Sequence, residues 1–298
     1  KELIAAVLSQ KYNTLATRGN LNNHIGVPLT LLELQPATEM AVVEMGANHQ
    51  REIAFLSELA EPDIGYITNY GKAHLEGFGG VEGVISGKSE LYDHLMSREK
   101  SIFLNADDPI QRQKLGGYPR AIGFSTSDPD FYRVEFEGAE PFVRLRAEST
   151  AIQTQVSGDY NFSNCAIAFL MGKHFEVPLR DIKEALEAYI PENNRSQLLK
   201  RNNLEIILDA YNANPSSMSV ALKHLARRET TKKIAVLGDM FELGEASAHE
   251  HQAIAELCDS LGIDQVLLVG KAFSGTESSA QCFQDFESLS AHLRDHPL

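Results

Sequence analysis

The sequence predicts an α/β protein: a central, mostly parallel sheet with a small antiparallel subsidiary sheet, followed by a Rossmann-like α/β domain. Short apolar, β-branched runs alternate with helical patterns in the first part of the chain, as in parallel sheets covered by helices. Later segments alternate apolar and polar residues with a period of two, as antiparallel strands with one wet face do. The 298 residues exceed one typical domain of about 100 to 200 residues.

The predicted first domain covers residues 1–198. Its parallel strands are expected in AVVEM, IGYITN and SIFLNADD, with helices near residues 52–59 and 84–96. The segments FYRVEFEG, PFVRLRAE and AIQTQVSG predict the antiparallel strands. Helical patterns in NFSNCAIAFLMGKHF and PLRDIKEALEAYI complete the domain.

The predicted second domain covers residues 199–298, after the polar, turn-rich stretch PENNRSQLLKRNN. EIILDAY, KIAVLGDM and QVLLVG are its strand candidates, and helices are expected near residues 216–228 and 248–261. No GxGxxG motif follows any of these strands, which argues against dinucleotide binding by this domain.

The composition excludes several classes of protein. A formal charge of -14, from 27 basic and 41 acidic residues, argues against a nucleic-acid surface. Cys165, Cys258 and Cys282 are far apart and form no CxxC, which predicts buried, reduced thiols and no disulfide framework or zinc site. No apolar run approaches the ~18 residues that span a bilayer. We therefore expect a soluble, cytoplasmic protein without nucleic-acid or membrane partners.

The glycine-rich stretch of residues 69–90, NYGKAHLEGFGGVEGVISGKSE, predicts a ligand-binding loop. Its six glycines allow the backbone to approach a bound anion or metal closely. His74, Glu76, Lys88 and Glu90 supply groups that ligate a cation or pair with a phosphate.

Several polar residues of the first domain follow predicted parallel strands. Glu44, Asn69 and Asn105 come at the ends of such strands, so they are expected at one edge of the sheet, together with His74 and Lys88. Such oxygen and imidazole groups suit a divalent ion that neutralises ATP phosphates. Each residue also has a structural interpretation, as a surface acid, a surface histidine or a lysine on a solvated helix face.

A second polar cluster, DAYNANPSSM, follows the strand candidate EIILDAY. Asp209, Asn212 and Asn214 belong either to a capped turn that leads into a helix or to a nucleotide contact. Arg195, in the linker, is placed to reach phosphate or ribose, although solvated linker arginines are common. GDMFELG again places an acid after a strand.

Seven segments of the chain occur in the order found in the Mur ligases, and the chain resembles that family over essentially its whole length. They are GNLNNHIGVPLTLL, VVEMGANHQREI, NYGKAHLEGFGG, GKSEL, NADDP, DAYNANPSSM and GDMFELG. GNLNNHIGVP and DAYNANPSSM resemble most the members that add D-alanyl-D-alanine to UDP-N-acetylmuramoyl-tripeptide. The resemblance implies a P-loop-type ATPase domain and a monomeric, cytoplasmic, ATP-dependent ligase of peptidoglycan precursor synthesis, acting through an acyl phosphate.

The resemblance also implies roles for individual residues. Glu44 and His74 would be ligands of Mg²⁺, and Lys88 would be the lysine that is carbamylated in this family and then binds a second ion. The ATP contacts implied are Asn69, Arg195, Asp209, Asn212 and Asn214, and the contacts near the amide-forming centre are Asn20, Asn22 and Asn23.

Two alternatives remain open on the sequence alone: a folylpolyglutamate synthase-like ligase that adds a different amine, and a non-catalytic scaffold with the same fold. The resemblance further leads us to expect a fragment, because the family's N-terminal domain, its phosphate loop and the end of its C-terminal domain are not in the sequence. We expect this polypeptide alone to be inactive. ATP-dependent phosphate release with both substrates present would refute that expectation.

Overall fold

The computed structural model describes residues 1–192, 194 and 196–297. The helices are α1 Glu2–Leu8, α2 Gly26–Leu32, α3 Glu52–Ala60, α4 Leu75–Phe78, α5 Val81–Ser97, α6 Pro109–Leu115, α7 Phe162–His174, α8 Leu179–Ala188, α9 Pro215–Arg227, α10 Ser247–Ser260 and α11 Phe286–Asp295. The strands are β1 Thr14–Ala16, β2 Met40–Val42, β3 Ile64–Tyr66, β4 Ser101–Asn105, β5 Ala121–Ser125, β6 Tyr132–Gly138, β7 Arg144–Ala147, β8 Thr150–Gln153, β9 Gln197–Arg201, β10 Leu204–Leu208, β11 Ile234–Gly238, β12 Gln265–Val269 and β13 Gln281–Phe283.

The chain divides into two compact units. The first contains Lys1–Tyr70 and Ile85–Leu208, and the second contains Gly71–Val84 and Asp209–Leu298. The predicted division between residues 198 and 199 falls inside β9, which belongs to the first unit together with its partner β10. No helix in the described ranges is both long and apolar enough to cross a lipid bilayer.

The first unit is built on a six-stranded sheet in the order β3-β4-β5-β6-β7-β8. Strands β3 to β6 are parallel, and β6, β7 and β8 are antiparallel. Apart from AVVEM, the predicted parallel and antiparallel strands are confirmed in this sheet. The antiparallel strands continue the parallel part, because β6 pairs with both β5 and β7. Strand β5, which the sequence analysis did not single out, makes this connection.

A separate two-stranded parallel sheet is formed by β1 and β2. The prediction that AVVEM joins the same parallel sheet as IGYITN is wrong, because Met40, Ala41 and Val42 pair with Thr14, Leu15 and Ala16. The pattern of the sequence does not predict β1, since three residues are too few to show a period.

Helix α7 is the buried helix of the first unit. Every residue from Cys165 to Gly172 is buried, which matches the nearly unbroken apolar sequence CAIAFLMG. Helices α1 and α8 pack against it, and α8 is amphipathic, with Ile182, Ala185 and Leu186 buried. Gly172 permits this packing, because a Cβ atom there would lie 2.5 Å from Cγ1 of Val7.

The second unit contains a parallel sheet in the order β11-β12-β13 and helices α9, α10 and α11. KIAVLGDM and QVLLVG form strands as predicted, whereas the third strand is Gln281–Phe283. EIILDAY instead forms β10 of an antiparallel hairpin with β9. The two-residue turn has Asn202 at a φ of 53°, and asparagine tolerates this left-handed conformation better than most residues.

The cysteine prediction is confirmed in two of three positions. Cys165 and Cys258 are buried free thiols, whereas Cys282 is exposed, which corrects the expectation that all three are buried. Cys282 lies on the short strand β13, which the sequence analysis had not recognised.

We expect Gly172→Ala to destabilise the first unit, although alanine normally favours a helix over glycine by about 1 kcal/mol. The added methyl would lie 2.5 Å from Val7 and 2.9 Å from Ile182, and overpacking of a core costs about 1–3 kcal/mol. Denaturant unfolding should therefore show a lower free energy of unfolding.

The control is the same substitution in a Val7→Ala background, where the smaller side chain leaves room for the new methyl. Gly172→Ala should cost less there. An equal cost in both backgrounds, or a gain in stability, would contradict the proposed close contact.

Candidate functional site

Glu44 lies two residues after β2 and is held from three directions. Its backbone N–H donates to Oγ1 of Thr17 at 2.9 Å, and Nδ2 of Asn22 donates to its Oε1 at 2.7 Å. Nζ of Lys1 lies 3.6 Å from Oε2, and the Glu44 side chain stays 28% exposed. The carboxylate is therefore oriented by the protein while its side chain stays partly exposed.

The loop GNLNN folds so that Asn22 can reach this carboxylate. The N–H of Gly46 donates to the carbonyl of Asn22 at 2.8 Å, and a Cβ atom at Gly46 would lie 2.7 Å from the Asn22 amide nitrogen. Oδ1 of Asn23 accepts from the N–H groups of Ile25 and Gly26 at 3.0 Å each, at the start of α2. The two asparagine side chains thus make different contacts: Asn22 binds the Glu44 carboxylate, and Asn23 accepts hydrogen bonds from the backbone at the N-terminus of α2.

Two further contacts anchor the same loop. Nζ of Lys1 donates to the carbonyl oxygens of Thr17 at 2.9 Å and Gly19 at 2.6 Å, and the lysine side chain is only 8% exposed. The carbonyl of Asn20 accepts from the N–H of Asn22 at 2.8 Å, which closes a tight turn. Lys1 and Thr17 stand in no motif that signals a site, so the sequence alone does not predict their contacts with this loop.

Lys88 lies on α5 with its Nζ donating to the carbonyl oxygen of Asn69 at 2.7 Å. The side chain is half-buried, and burial lowers the pKa of the Lys88 ammonium to about 8. Compared with the ordinary lysine pKa of 10.5, this raises the neutral fraction at neutral pH on the order of a hundredfold. Lys88 is therefore a more available nucleophile than a solvated helix lysine.

Glu90, two residues further along α5, has a structural use. Its carboxylate accepts from the N–H groups of Arg51 at 2.7 Å and Ala54 at 2.9 Å, at the N-terminus of α3. A carboxylate there satisfies backbone donors and complements the helix dipole. Glu90 thus helps to hold α3 against α5, and both of its oxygens are engaged.

The carboxyl ends of β3 and β4 are joined by Gln111, a fully buried side chain of α6. Its amide nitrogen donates to the carbonyl of Ile67 at 3.0 Å, and its oxygen accepts from the N–H of Asn105 at 2.9 Å. The Asn105 side chain accepts from the N–H of Asp107 at 3.0 Å. Asn105 thus ends β4, and Asn69 lies shortly after the adjacent parallel strand β3, as predicted. Gln111, which the sequence pattern does not single out, joins the ends of the two strands.

The segment Gly71–Val84 belongs to the second unit and carries His74. Nδ1 of His74 contacts Oε2 of Glu242, and the N–H of Glu76 donates to the Glu242 carbonyl at 3.2 Å. Nζ of Lys72 lies 2.8 Å from Oε1 of Glu250. The His74 side chain is 28% exposed and that of Glu242 is 53% exposed, so their pairing contributes only about 0–1 kcal/mol to stability.

The DAYNANPSSM cluster includes a capped turn. Oδ1 of Asn214 accepts from the N–H of Ser217 at 2.9 Å, and the Ser217 hydroxyl accepts from the Asn214 N–H at 3.2 Å, a capping box at the start of α9. Asp209 and Asn212 are exposed. Arg195, predicted to contact ATP, lies outside the described residues.

GDMFELG also uses its first acid structurally. The Asp239 carboxylate accepts from the N–H groups of Ala272 and Phe273 at 3.0 Å each. Gly270 makes room for it at a φ of 128°, where a Cβ atom would lie 2.1 Å from the Asp239 carboxyl carbon. The motif therefore closes a turn of the second unit and presents Glu242 to His74.

The predicted metal ligands are distributed over both units. Glu44 and Lys88 lie in the first, and His74 lies in the second. Within the part of the chain that the structure describes, no three His, Cys, Asp or Glu side chains gather as a metal centre. The roles of these residues therefore stay predictions.

Comparisons with known proteins identify the family. The Mur ligase middle domain matches residues 1–172, and the Mur ligase, glutamate ligase domain matches residues 194–296. The UDP-N-acetylmuramoyl-tripeptide--D-alanyl-D-alanine ligase of Escherichia coli K12 is 36% identical over 307 residues, which cover 99% of this chain and 67% of the relative.

Solved structures give the same result. A crystal structure of MurF from Acinetobacter baumannii is 30% identical with a TM-score of 0.87, and the match covers 100% of this chain and 68% of that one. The MurF ligase of Thermotoga maritima in complex with ADP is 25% identical with a TM-score of 0.84, over 99% and 69% of the two chains. The chain thus spans about two thirds of the length of these relatives. On its domain matches and its similarity to these proteins along nearly its whole length, the chain belongs to the Mur ligase family.

Proposed function

We propose that the chain acts in an ATP-dependent ligase that adds D-alanyl-D-alanine to UDP-N-acetylmuramoyl-tripeptide, a cytoplasmic step of peptidoglycan precursor synthesis. The Escherichia coli relative carries the name of this activity, and the Thermotoga maritima neighbour was solved with ADP. The structural observation that carries the proposal is the 2.7 Å contact between Asn22 and Glu44. It brings GNLNN and VVEMG together beyond the ends of parallel strands, where α/β proteins bind their ligands.

The proposed reaction makes one amide bond in two transfers. An oxygen of the tripeptide carboxylate attacks the γ-phosphorus of ATP, the bond to the bridging oxygen breaks, and ADP leaves. The amine of D-alanyl-D-alanine then attacks the carbon of the acyl phosphate. Phosphate leaves with its C–O bond electrons, and the amine loses a proton. Both steps concentrate negative charge on phosphate oxygens, so positioning and charge stabilisation are the contributions expected of the protein.

Glu44 fits a magnesium ligand in this scheme. Mg²⁺ prefers oxygen ligands, and when bound it offsets charge on the phosphates. Asn22 donates to Oε1 of Glu44, whereas Oε2 forms a longer ion pair, of 3.6 Å, with Lys1. The carboxylate is thus oriented in advance and stays partly exposed, which supports its assignment.

Lys88 fits as a ligand only after modification, because an ammonium group repels a cation. Its neutral amine would attack carbon dioxide, form an N–C bond and release a proton, which turns the side chain into an oxygen-bearing anion. A lysine with a pKa of about 8 is suited to this reaction, because enough of it is neutral at physiological pH. We therefore propose that Lys88 is carbamylated.

The remaining predicted contacts form part of the same proposal. Asn69 accepts a hydrogen bond from the Lys88 ammonium through its backbone carbonyl, and it stays a proposed nucleotide contact of the loop after β3. Asp209 and Asn212 are exposed side chains before α9. Asn214 is proposed only to shape this turn, since its side chain caps the helix.

A panel of acceptors in the full-length protein tests the proposed function. We expect phosphate release and a mass-verified amide product with UDP-N-acetylmuramoyl-tripeptide, ATP and D-alanyl-D-alanine together, and none when any one is left out. A folate acceptor with glutamate is the control for the alternative ligase. Turnover with folate but not with the muramoyl substrate would overturn the proposal.

We expect Glu44→Gln and His74→Ala in the full-length protein to lower kcat about a hundredfold or more, because charge stabilisation acts in the transition state. Glu44→Gln keeps the acceptor for Asn22 and removes only the charge. Circular dichroism and thermal unfolding should show an intact fold.

The matched control is Glu33→Ala, which removes an exposed carboxylate paired with Arg18 in the same unit. It should leave kcat within about twofold, as surface ion pairs contribute little. Wild-type turnover in both test variants would reject the metal assignment.

We expect Lys88→Ala to lose most activity and to recover part of it with added formate or acetate, because a small carboxylate can replace the carbamate oxygens. Initial rates against carboxylate concentration give the measurement. The control is Lys100→Ala, which removes an exposed lysine paired with Asp63. This variant should keep its activity, and added carboxylate should not change its rate. Loss of activity without rescue at any concentration would argue against carbamylation.

A further inference from the structure

Glu242 lies in GDMFELG, and the proposed reaction assigns it no role. Its Oε2 contacts Nδ1 of His74, and its backbone carbonyl accepts from the N–H of Glu76 at 3.2 Å. One residue of the second unit thus binds both the side chain of a predicted metal ligand and the backbone two residues beyond it.

The chemistry of imidazole gives this contact a consequence. A neutral histidine carries one proton, so the ring nitrogen that donates to a carboxylate leaves the other nitrogen with a free lone pair. Metal-binding histidines commonly show this arrangement, in which a carboxylate fixes both the tautomer and the ring orientation. We infer that Glu242 is a positioning residue for His74: its carboxylate accepts a hydrogen bond from the Nδ1–H group, which keeps the proton on Nδ1 and leaves Nε2 as the ligand. This inference rests on the proposed function.

The backbone at both residues supports a positioning role. His74 has a φ of 54° and Glu242 a φ of 60°, so both partners adopt the left-handed conformation that non-glycine residues rarely take. Such strain persists where the surrounding structure enforces it, and it concentrates at functional sites. A side-chain contact as exposed as this one contributes too little stability to account for two strained residues.

The segment that carries His74 is also anchored on either side of the Glu242 contact. The backbone N–H of Lys72 donates to Oγ of Ser216 at 2.8 Å, and its Nζ lies 2.8 Å from Oε1 of Glu250, whose side chain is 9% exposed. On the other side, a Cβ atom at Gly244 would lie 3.1 Å from Cβ of Glu76, so these two chain segments pack closely. The position of His74 therefore depends on residues far away in the sequence.

Three variants of the full-length protein test the inference. Glu242→Ala removes the acceptor, Glu242→Gln keeps a neutral acceptor, and Glu245→Ala removes an exposed acid from the same loop as a control. The first measurement needs no metal: ¹⁵N spectra of the histidine-labelled, metal-free protein report which ring nitrogen is protonated, with the His74 signals identified by their loss in His74→Gln.

We expect His74 to be protonated on Nδ1 in the wild type, in Glu242→Gln and in Glu245→Ala, and to populate the Nε2-protonated tautomer in Glu242→Ala. The second measurement is the Mg²⁺ concentration at half-maximal velocity. This concentration should rise about tenfold or more in Glu242→Ala, because loss of the carboxylate partner of a metal-binding histidine typically weakens metal binding by that much. The rise should be smaller in Glu242→Gln. The KM for D-alanyl-D-alanine should not change.

An unchanged tautomer and an unchanged Mg²⁺ dependence in Glu242→Ala would overturn the inference. If His74→Ala is inactive while Glu242→Ala behaves as the wild type, the positioning role alone fails. If the wild type does not join the two substrates, the proposed function fails, and the tautomer measurement still decides whether Glu242 orients His74.

Discussion

Burial of α7 against the six-stranded sheet and helices α1 and α8 is the constraint on which the first unit depends. An almost uniformly apolar helix is stable in water only when it is covered all round. The sheet covers one side, and α1 and α8 cover the other. Because Gly172 lets α1 approach closely, Val7 is fully buried and the direction of α1 is set by packing.

That packing reaches the candidate site through one side chain. Lys1 precedes α1, and its ammonium group binds the carbonyl oxygens of Thr17 and Gly19 and lies near the carboxylate of Glu44. Hydrophobic burial therefore places α1, α1 places Lys1, and Lys1 supports the loop from which Asn22 reaches Glu44. The orientation of the Glu44 carboxylate is therefore a consequence of how a buried helix packs.

Helix α5 carries two polar side chains that bind other parts of the first unit. Lys88 binds the loop after β3, and Glu90 caps α3. Two positions of one helix thus carry an amine whose pKa is lowered by burial and a structural carboxylate. Residues two apart on a helix face different directions, so Lys88 reaches the loop after β3 while Glu90 reaches the backbone of α3.

The sequence by itself determined the helices and strands with a strong apolar period and the parallel and antiparallel parts of the sheet. It also determined the motifs that contain Glu44, Asn69, His74 and Lys88. These are local properties: an apolar period, a cap such as Asn214, or a glycine-rich run can be read from neighbouring residues. Only the tertiary structure decided that EIILDAY pairs in a hairpin, that β2 pairs with β1, and that Glu90 is structural. It also decided that Glu242 meets His74 across 168 positions of sequence. Such contacts follow from the packing of distant elements, and no periodicity in the chain encodes which distant partner a side chain will meet.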